Sequence, residues 1–119
     1  EIDILLKISH PNIIRLYEVF RITNSNKDEF IVLIIEYCKY GTLRDYICNE
    51  GFRSEKEKRV IFKKILEAVV YLNGNGIAHC DIKPDNILID ENKNPKLCDF
   101  NFAKFTNNCD PFSNSIVSK

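Results

Sequence analysis

Apolar residues at Ile2, Leu5 and Ile8, with Ile4 and Leu6 beside them, follow a helical spacing over residues 1–9, and His10-Pro11-Asn12 stops it. Two runs rich in β-branched and aromatic residues come next, from Ile13 to Phe20 and from Phe30 to Ile35. They read as strands divided by the turn-forming stretch from Thr23 to Asp28. The apolar run breaks at Glu36-Tyr37-Cys38-Lys39-Tyr40-Gly41, and Thr42 to Ile47 suits a short helix with Gly51 soon after it. Ser54 with Glu57 three residues on spells a capping box. The helix it opens carries Ile61, Ile65, Val69 and Leu72, flanked by Phe62 and Leu66, and ends near Asn73-Gly74-Asn75-Gly76. The charges from Glu55 to Arg59 read as its solvated first turns. Finally, Ile87-Leu88-Ile89 and Lys96-Leu97-Cys98 bracket the turn Asp90 to Pro95, a short hairpin that places Asp99 next to Asn86.

Composition narrows the classes without naming a function. The 119 residues suffice for one small domain. Lys plus Arg equals Asp plus Glu at 17 each, so no net field points to nucleic acid or to an acidic membrane surface. The apolar stretch Phe30 to Ile35 is far shorter than a membrane span of ~20 residues, and no basic-then-apolar leader opens the chain. Five cysteines (38, 48, 80, 98 and 109) form no C-x-x-C pair, and an odd number cannot close into a full disulfide framework. Reduced thiols in a soluble, cytoplasmic protein are the expectation. No internal repeat is visible, and only the Asn/Ser-rich tail after Thr106 is low in complexity.

The candidate chemistry sits in His79-Cys80-Asp81-Ile82-Lys83-Pro84-Asp85-Asn86, followed by Asp99-Phe100-Asn101. These residues resemble the catalytic loop and metal-binding turn of eukaryotic protein kinases, H-R-D-L-K-P-x-N and D-F-G. A surface loop also favours Asp, Asn, Lys and Pro. A chance match to His79, Asp81, Lys83, Pro84 and Asn86 together has odds below about one in ten thousand on average residue usage. Phosphoryl transfer needs one carboxylate for the hydroxyl proton, one cation near the transferred group and hard oxygen ligands for a metal. Asp81, Lys83, Asn86 and Asp99 supply those types in the family's order.

The resemblance implies a partial kinase-like α+β fold. Residues 1–35 would be the end of the small lobe, 36–41 the hinge, and 42–119 the first part of the large lobe, reaching the start of the activation segment. Asp81 would be the catalytic base, Lys83 would steady the γ-phosphate, and Asn86 and Asp99 would hold Mg²⁺. ATP would be framed by Glu1 at the αC position, Ile35 as gatekeeper, the Glu36 carbonyl, the Cys38 amide and Leu88 under the adenine. Leu5, Leu16, His79 and Phe100 would form the apolar column aligning the lobes. Lys83-Pro84 resembles the serine/threonine branch, and the small-lobe phrasing resembles the calmodulin-dependent and AMP-activated group. The implied substrate is a protein Ser/Thr hydroxyl, with no nucleic-acid or membrane partner.

Three departures from the pattern carry consequences. The Gly-rich loop, the strand lysine and the A-P-E segment are not in these 119 residues, so a fragment cut at both ends, without activity of its own, is expected. Asn101 replaces the turn glycine, expected at positive φ; Asn is the non-Gly residue best able to adopt that conformation, so the change is expected to be tolerated while stiffening the turn. Cys80 replaces the arginine that in many kinases pairs with a phosphorylated activation loop, and a neutral thiol cannot form that charge-assisted pair. Phosphorylation at Thr106, Ser113, Ser115 or Ser118 is therefore expected not to switch activity by this route. A phosphomimetic Glu at one of them that raised activity in a completed domain would overturn this. The competing function class is a non-catalytic kinase-like module that docks on a partner kinase or scaffold.

Overall fold

A computed structural model describes residues 2–106, so Glu1, Cys109 and the three tail serines at 113, 115 and 118 lie outside the described residues. Helix α1 (Ile2–Lys7) stops one turn short of His10-Pro11-Asn12, with Ile4 and Leu5 buried and Ile2 and Ile8 half-buried. Strands β1 (Leu16–Thr23) and β2 (Glu29–Ile35) pair antiparallel, with an irregularity between Leu16 and Glu18. The turn between them is organised by Asn24, whose Oδ1 accepts the amides of Asn26 at 2.8 Å and Asp28 at 2.9 Å.

Strand β1 begins later than the sequence predicts because Ile13 and Ile14 bond elsewhere. Ile14 N donates to Leu97 O at 2.9 Å and Leu97 N to Asn12 O at 2.8 Å, tying this segment to strand β5 (Pro95–Leu97) rather than to β2. Buried Asn12 adds its Nδ2, which donates to Pro95 O at 3.0 Å. A side chain that satisfies a buried carbonyl in this way is costly to remove.

Helix α2 (Leu43–Asn49) is closed by a reciprocal capping box that the sequence reading missed: Thr42 Oγ1 accepts from Asp45 N and Asp45 accepts from Thr42 N, both at 3.1 Å. Helix α3 (Glu55–Gly74) shows the reverse. Ser54 Oγ accepts from Glu57 N at 3.1 Å, but the Glu57 carboxylate does not return to Ser54. It accepts instead from Arg53 N and from the Tyr46 hydroxyl. Those bonds hold the Glu57 carboxyl below its ordinary value, while burial, then the bond to Glu57, pushes Tyr46 up to about 12.

The face of α3 turned inward is Ile61, Ile65, Ala68 and Leu72. The expected Val69 is half-buried, and Phe62 and Leu66 stand exposed. Strands β3 (Ile77–Ala78) and β6 (Lys104–Phe105) form a second antiparallel pair, and β4 (Ile87–Ile89) with β5 a third. Ile4, Leu5, Ile13, Leu43, Tyr46, the inward face of α3, Ile87, Ile89, Leu97 and Phe100 belong to one buried cluster. Among the described residues no helix is long and apolar enough to cross a membrane, and the four described cysteines are free thiols.

Candidate functional site

The loop after β3 is built around His79, which is buried. Its Nδ1 accepts the Asp81 amide at 3.2 Å, which leaves the ring proton on Nε2 to donate to Cys98 O at 2.8 Å. The Phe100 ring meets the imidazole edge-on at 4.9 Å between centroids. One histidine thus links the backbone of the loop to the segment after β5. Cys80 turns the chain between them at φ 68°, a left-handed conformation uncommon for a residue with a Cβ. Its exposed thiol points back to Ala78 O at 3.6 Å.

Asp81, Lys83 and Asn86 are brought together. Asn86 Nδ2 donates both to Asp81 O at 2.9 Å and to Asp81 Oδ2 at 2.8 Å, and the Asn86 side chain is buried. Lys83 Nζ stands 3.6 Å from the other carboxylate oxygen of Asp81. A 3₁₀ turn, Pro84–Asn86, with Pro84 pre-setting its first φ, carries the chain from Lys83 into β4. Asn86 N donates to Lys83 O, and Asn86 O accepts from Cys98 N, each at 2.9 Å. Through that last bond the hairpin sets Asp99, the next residue after Cys98, beside the loop.

The positive φ expected at Asn101 occurs at Asp99 instead, at 58°. Asn101 needs only its main-chain amide, which donates to Asp99 Oδ1 at 3.3 Å, a bond any residue but proline can make. Asn in place of glycine therefore strains nothing at this turn, contrary to the stiffening read from the sequence.

Oxygen donors are available for a hard cation. Because Asn86 spends its amino group on Asp81, its Oδ1 is the end left to accept, and Asp99 keeps one carboxylate oxygen beyond the bond to Asn101. Amide and carboxylate oxygens are the donors Mg²⁺ takes, usually with several waters. Among the described residues no group of three or more His, Cys, Asp or Glu is placed to hold a metal ion.

The residues expected to form the hinge lie at the exit of β2. Ile35 ends the strand half-exposed, at 41%. The Glu36 carboxylate turns away from solvent, accepting the Arg15 amide at 2.9 Å and pairing with Lys96 Nζ at 3.4 Å. Among the described residues no main-chain hydrogen bond takes the Glu36 carbonyl or the Cys38 amide. Cys38 is buried, and burial followed by the nearby Glu36 and Asp90 charges pushes its thiol up to about 11. Tyr40 N donates to Ile89 O at 3.0 Å, Ile89 N to Gly41 O at 2.8 Å, and Thr42 bridges Leu88. Gly41 makes this approach at φ 68°, where a Cβ would meet an Asp45 carboxylate oxygen at 2.9 Å. Strand β4 is therefore tied, through Leu88 and Ile89, to the segment Tyr40 to Thr42, and it continues directly from the turn that holds Lys83 and Asn86. A cavity of about 600 Å³ is lined in part by Leu5, Ile8, Ile13, Leu16, Glu36 and Lys96.

Sequence reasoning missed two features that bear on the loop. Arg44 of α2 grips Asp85 with both prongs, Nε to Oδ1 at 2.6 Å and Nη2 to Oδ2 at 3.0 Å, and the bond holds the Asp85 carboxyl below its ordinary value. Asn12 braces the strand that leads to Asp99. Neither has a periodic or local signal.

The chain is similar in sequence to known protein kinases. NUAK family SNF1-like kinase 1 of Homo sapiens is 46% identical over 103 residues, covering 87% of this chain and 15% of that protein. Maternal embryonic leucine zipper kinase of Xenopus tropicalis is 44% identical over 100 residues, covering 84% of this chain and 15% of that protein. Serine/threonine protein kinase OSK3 of Oryza sativa subsp. japonica is 44% identical over 103 residues, covering 87% and 19% respectively. The chain thus spans less than a fifth of the length of these relatives. With residues 1–119 all matched by the family described as protein kinase domain, the chain belongs to that family.

Proposed function

We propose that this segment is the centre of a serine/threonine protein kinase domain, transferring the γ-phosphate of ATP to a protein hydroxyl. The observation that carries the reading is the Asn86–Asp81–Lys83 cluster, with bonds of 2.8 and 2.9 Å and a contact of 3.6 Å, delivered by a turn that runs straight into β4. On this reading residues 1–35 end the small lobe, 36–41 form the hinge and the rest opens the large lobe. Free cysteines fit a reducing, intracellular setting.

Asp81 keeps Oδ2 fixed by Asn86 and offers Oδ1, beside the Lys83 cation, to the substrate hydroxyl. The hydroxyl oxygen attacks the γ-phosphorus as its proton passes to Asp81. The bond from that phosphorus to the bridging oxygen breaks, and ADP leaves with the electron pair. Lys83, half-exposed, offers its charge to the transferred phosphoryl. Mg²⁺, when bound, neutralises charge on the phosphates, and Asn86 Oδ1 with Asp99 would hold it. The open Glu36 carbonyl and Cys38 amide suit the edge of an adenine, with Leu88 beneath it.

Thermal melting of the chain tests the nucleotide site. Ligand a hundredfold above its Kd adds about 2.7 kcal/mol by linkage, a rise of about 10 °C for a domain of this size. ATP with Mg²⁺ is expected to raise Tm, and chelation of the metal to reverse most of the rise. No shift at any nucleotide concentration, in the chain and in a kinase domain completed around it, would sink this reading. The exposed apolar residues Phe62, Leu66 and Val70 on α3 would then favour the docking-module alternative, read by stable partner pull-down.

A further inference from the structure

We propose that Arg44 is a positioning residue for the turn carrying Lys83 and Asn86, acting through its two-pronged ion pair with Asp85; this rests on the phosphoryl-transfer reading. The pair joins positions 41 residues apart, and Asp85 sits between Pro84 and Asn86 at the middle of the 3₁₀ turn. Arg44 is not there for its own helix. It occupies the first turn of α2, where the positive end of the helix dipole disfavours a cation, whereas Asp45 beside it caps that end.

The geometry closes a brace. Helix α2 is anchored on β4 through the Thr42–Leu88 bridge and the bond from Ile89 N to Gly41 O at 2.8 Å. The turn is anchored on the same strand because it continues into Ile87. The Arg44–Asp85 pair joins the two free sides. Without it the outer edge of the turn, with Lys83 and Asp85 both exposed, is held by the bond from Asn86 N to Lys83 O at 2.9 Å and the contact of Lys83 Nζ with Asp81 at 3.6 Å. A planar guanidinium meeting both carboxylate oxygens restricts orientation as well as distance, which an ammonium cannot do. Both side chains face solvent, so salt screens the pair.

Hydrogen exchange of the Asn86 amide in the 119-residue chain reads the brace directly. Arg44→Ala is expected to speed that exchange about threefold at low salt, the scale of an exposed ion pair. High salt should move the wild type toward the variant, and Arg44→Lys should fall between. Asp85→Ala should match Arg44→Ala, with the double variant no worse than either. An unchanged Asn86 amide in Arg44→Ala, or additive effects in the double variant, overturns the proposal.

The role in transfer is read in a chimera in which this chain replaces the matching segment of human NUAK family SNF1-like kinase 1. There Arg44→Ala is expected to lower kcat about threefold, leave the KM for ATP unchanged and flatten the salt dependence of kcat. Faster exchange with an unchanged kcat would overturn the positioning role. A wild-type chimera that binds nucleotide yet transfers no phosphate brings down the phosphoryl-transfer reading instead, while the exchange result still decides the brace.

Discussion

In the same chimera, Asp81→Asn is expected to lower the rate of phosphoryl transfer by about 10²- to 10⁴-fold, the range lost with a general acid–base group. The substitution keeps the shape of the side chain. Asn at this position can still accept from Asn86 Nδ2 through its oxygen, so the 2.8 Å bond has a successor and the loop keeps its frame. What it loses is the carboxylate charge beside Lys83 and the lone pair that takes the hydroxyl proton. Nucleotide binding should survive, because the groups assigned to adenine and to Mg²⁺ are elsewhere, on the hinge, β4, Asn86 and Asp99. The informative result is thus a split, with the ATP–Mg²⁺ thermal shift kept and turnover lost. Near wild-type turnover would remove Asp81 from the chemistry. Loss of both would show that the carboxylate holds the loop together rather than acting on substrate.

Such a prediction could be drawn from the letters because the loop proposed for catalysis is local. His79 to Asn86 span two turns of chain, and their mutual bonds follow from spacing once the resemblance supplies a geometry. Helix α3 was legible for a similar reason, since Ser54 and the apolar steps behind it lie along one element. The reading slipped where a second partner competed. Glu57 left the capping box because Tyr46 and Arg53 N were within reach, and neither contact has a sequence period. Val69 gave way to Ala68 because the buried line steps by four, three and four residues from Ile61 to Leu72, following the 3.6-residue turn. Phe62 and Leu66 belong to another stripe of the same helix, and a pattern of apolar letters does not say which stripe the described residues cover. Two long-range contacts had no signal in the sequence. Arg44 meets Asp85 across 41 residues and Asn12 meets Pro95 across 83, and these two contacts brace the site from outside. The turn after β5 shows a subtler limit. The sequence located the unusual backbone to within two residues, but only the structure assigned it to Asp99.

Phe100 and Phe102 look alike in sequence, and the structure sets them far apart in expected effect. Phe100→Ala is expected to destabilise the chain by about 3–5 kcal/mol, the loss found for a buried Phe truncated to Ala. Its side chain is fully buried, at 0% exposure, in the same cluster as Leu97 and Ile87, and its ring edge closes on His79 at 4.9 Å. A cavity there removes the wall against which the imidazole is set, and the imidazole fixes the Asp81 amide at 3.2 Å and Cys98 O at 2.8 Å. Against a total of about 5–15 kcal/mol for an ordinary domain, the loss takes about a fifth of stability or more. Phe102 is 63% exposed, and Phe102→Ala should stay within about 0.5 kcal/mol of wild type. Denaturant unfolding of the two variants decides the matter. A smaller midpoint shift for Phe100→Ala than for Phe102→Ala would mean that Phe100 does not fill the core beneath the loop. The expected order would tie the packing of one ring to the alignment of Asp81, since the same histidine makes both contacts.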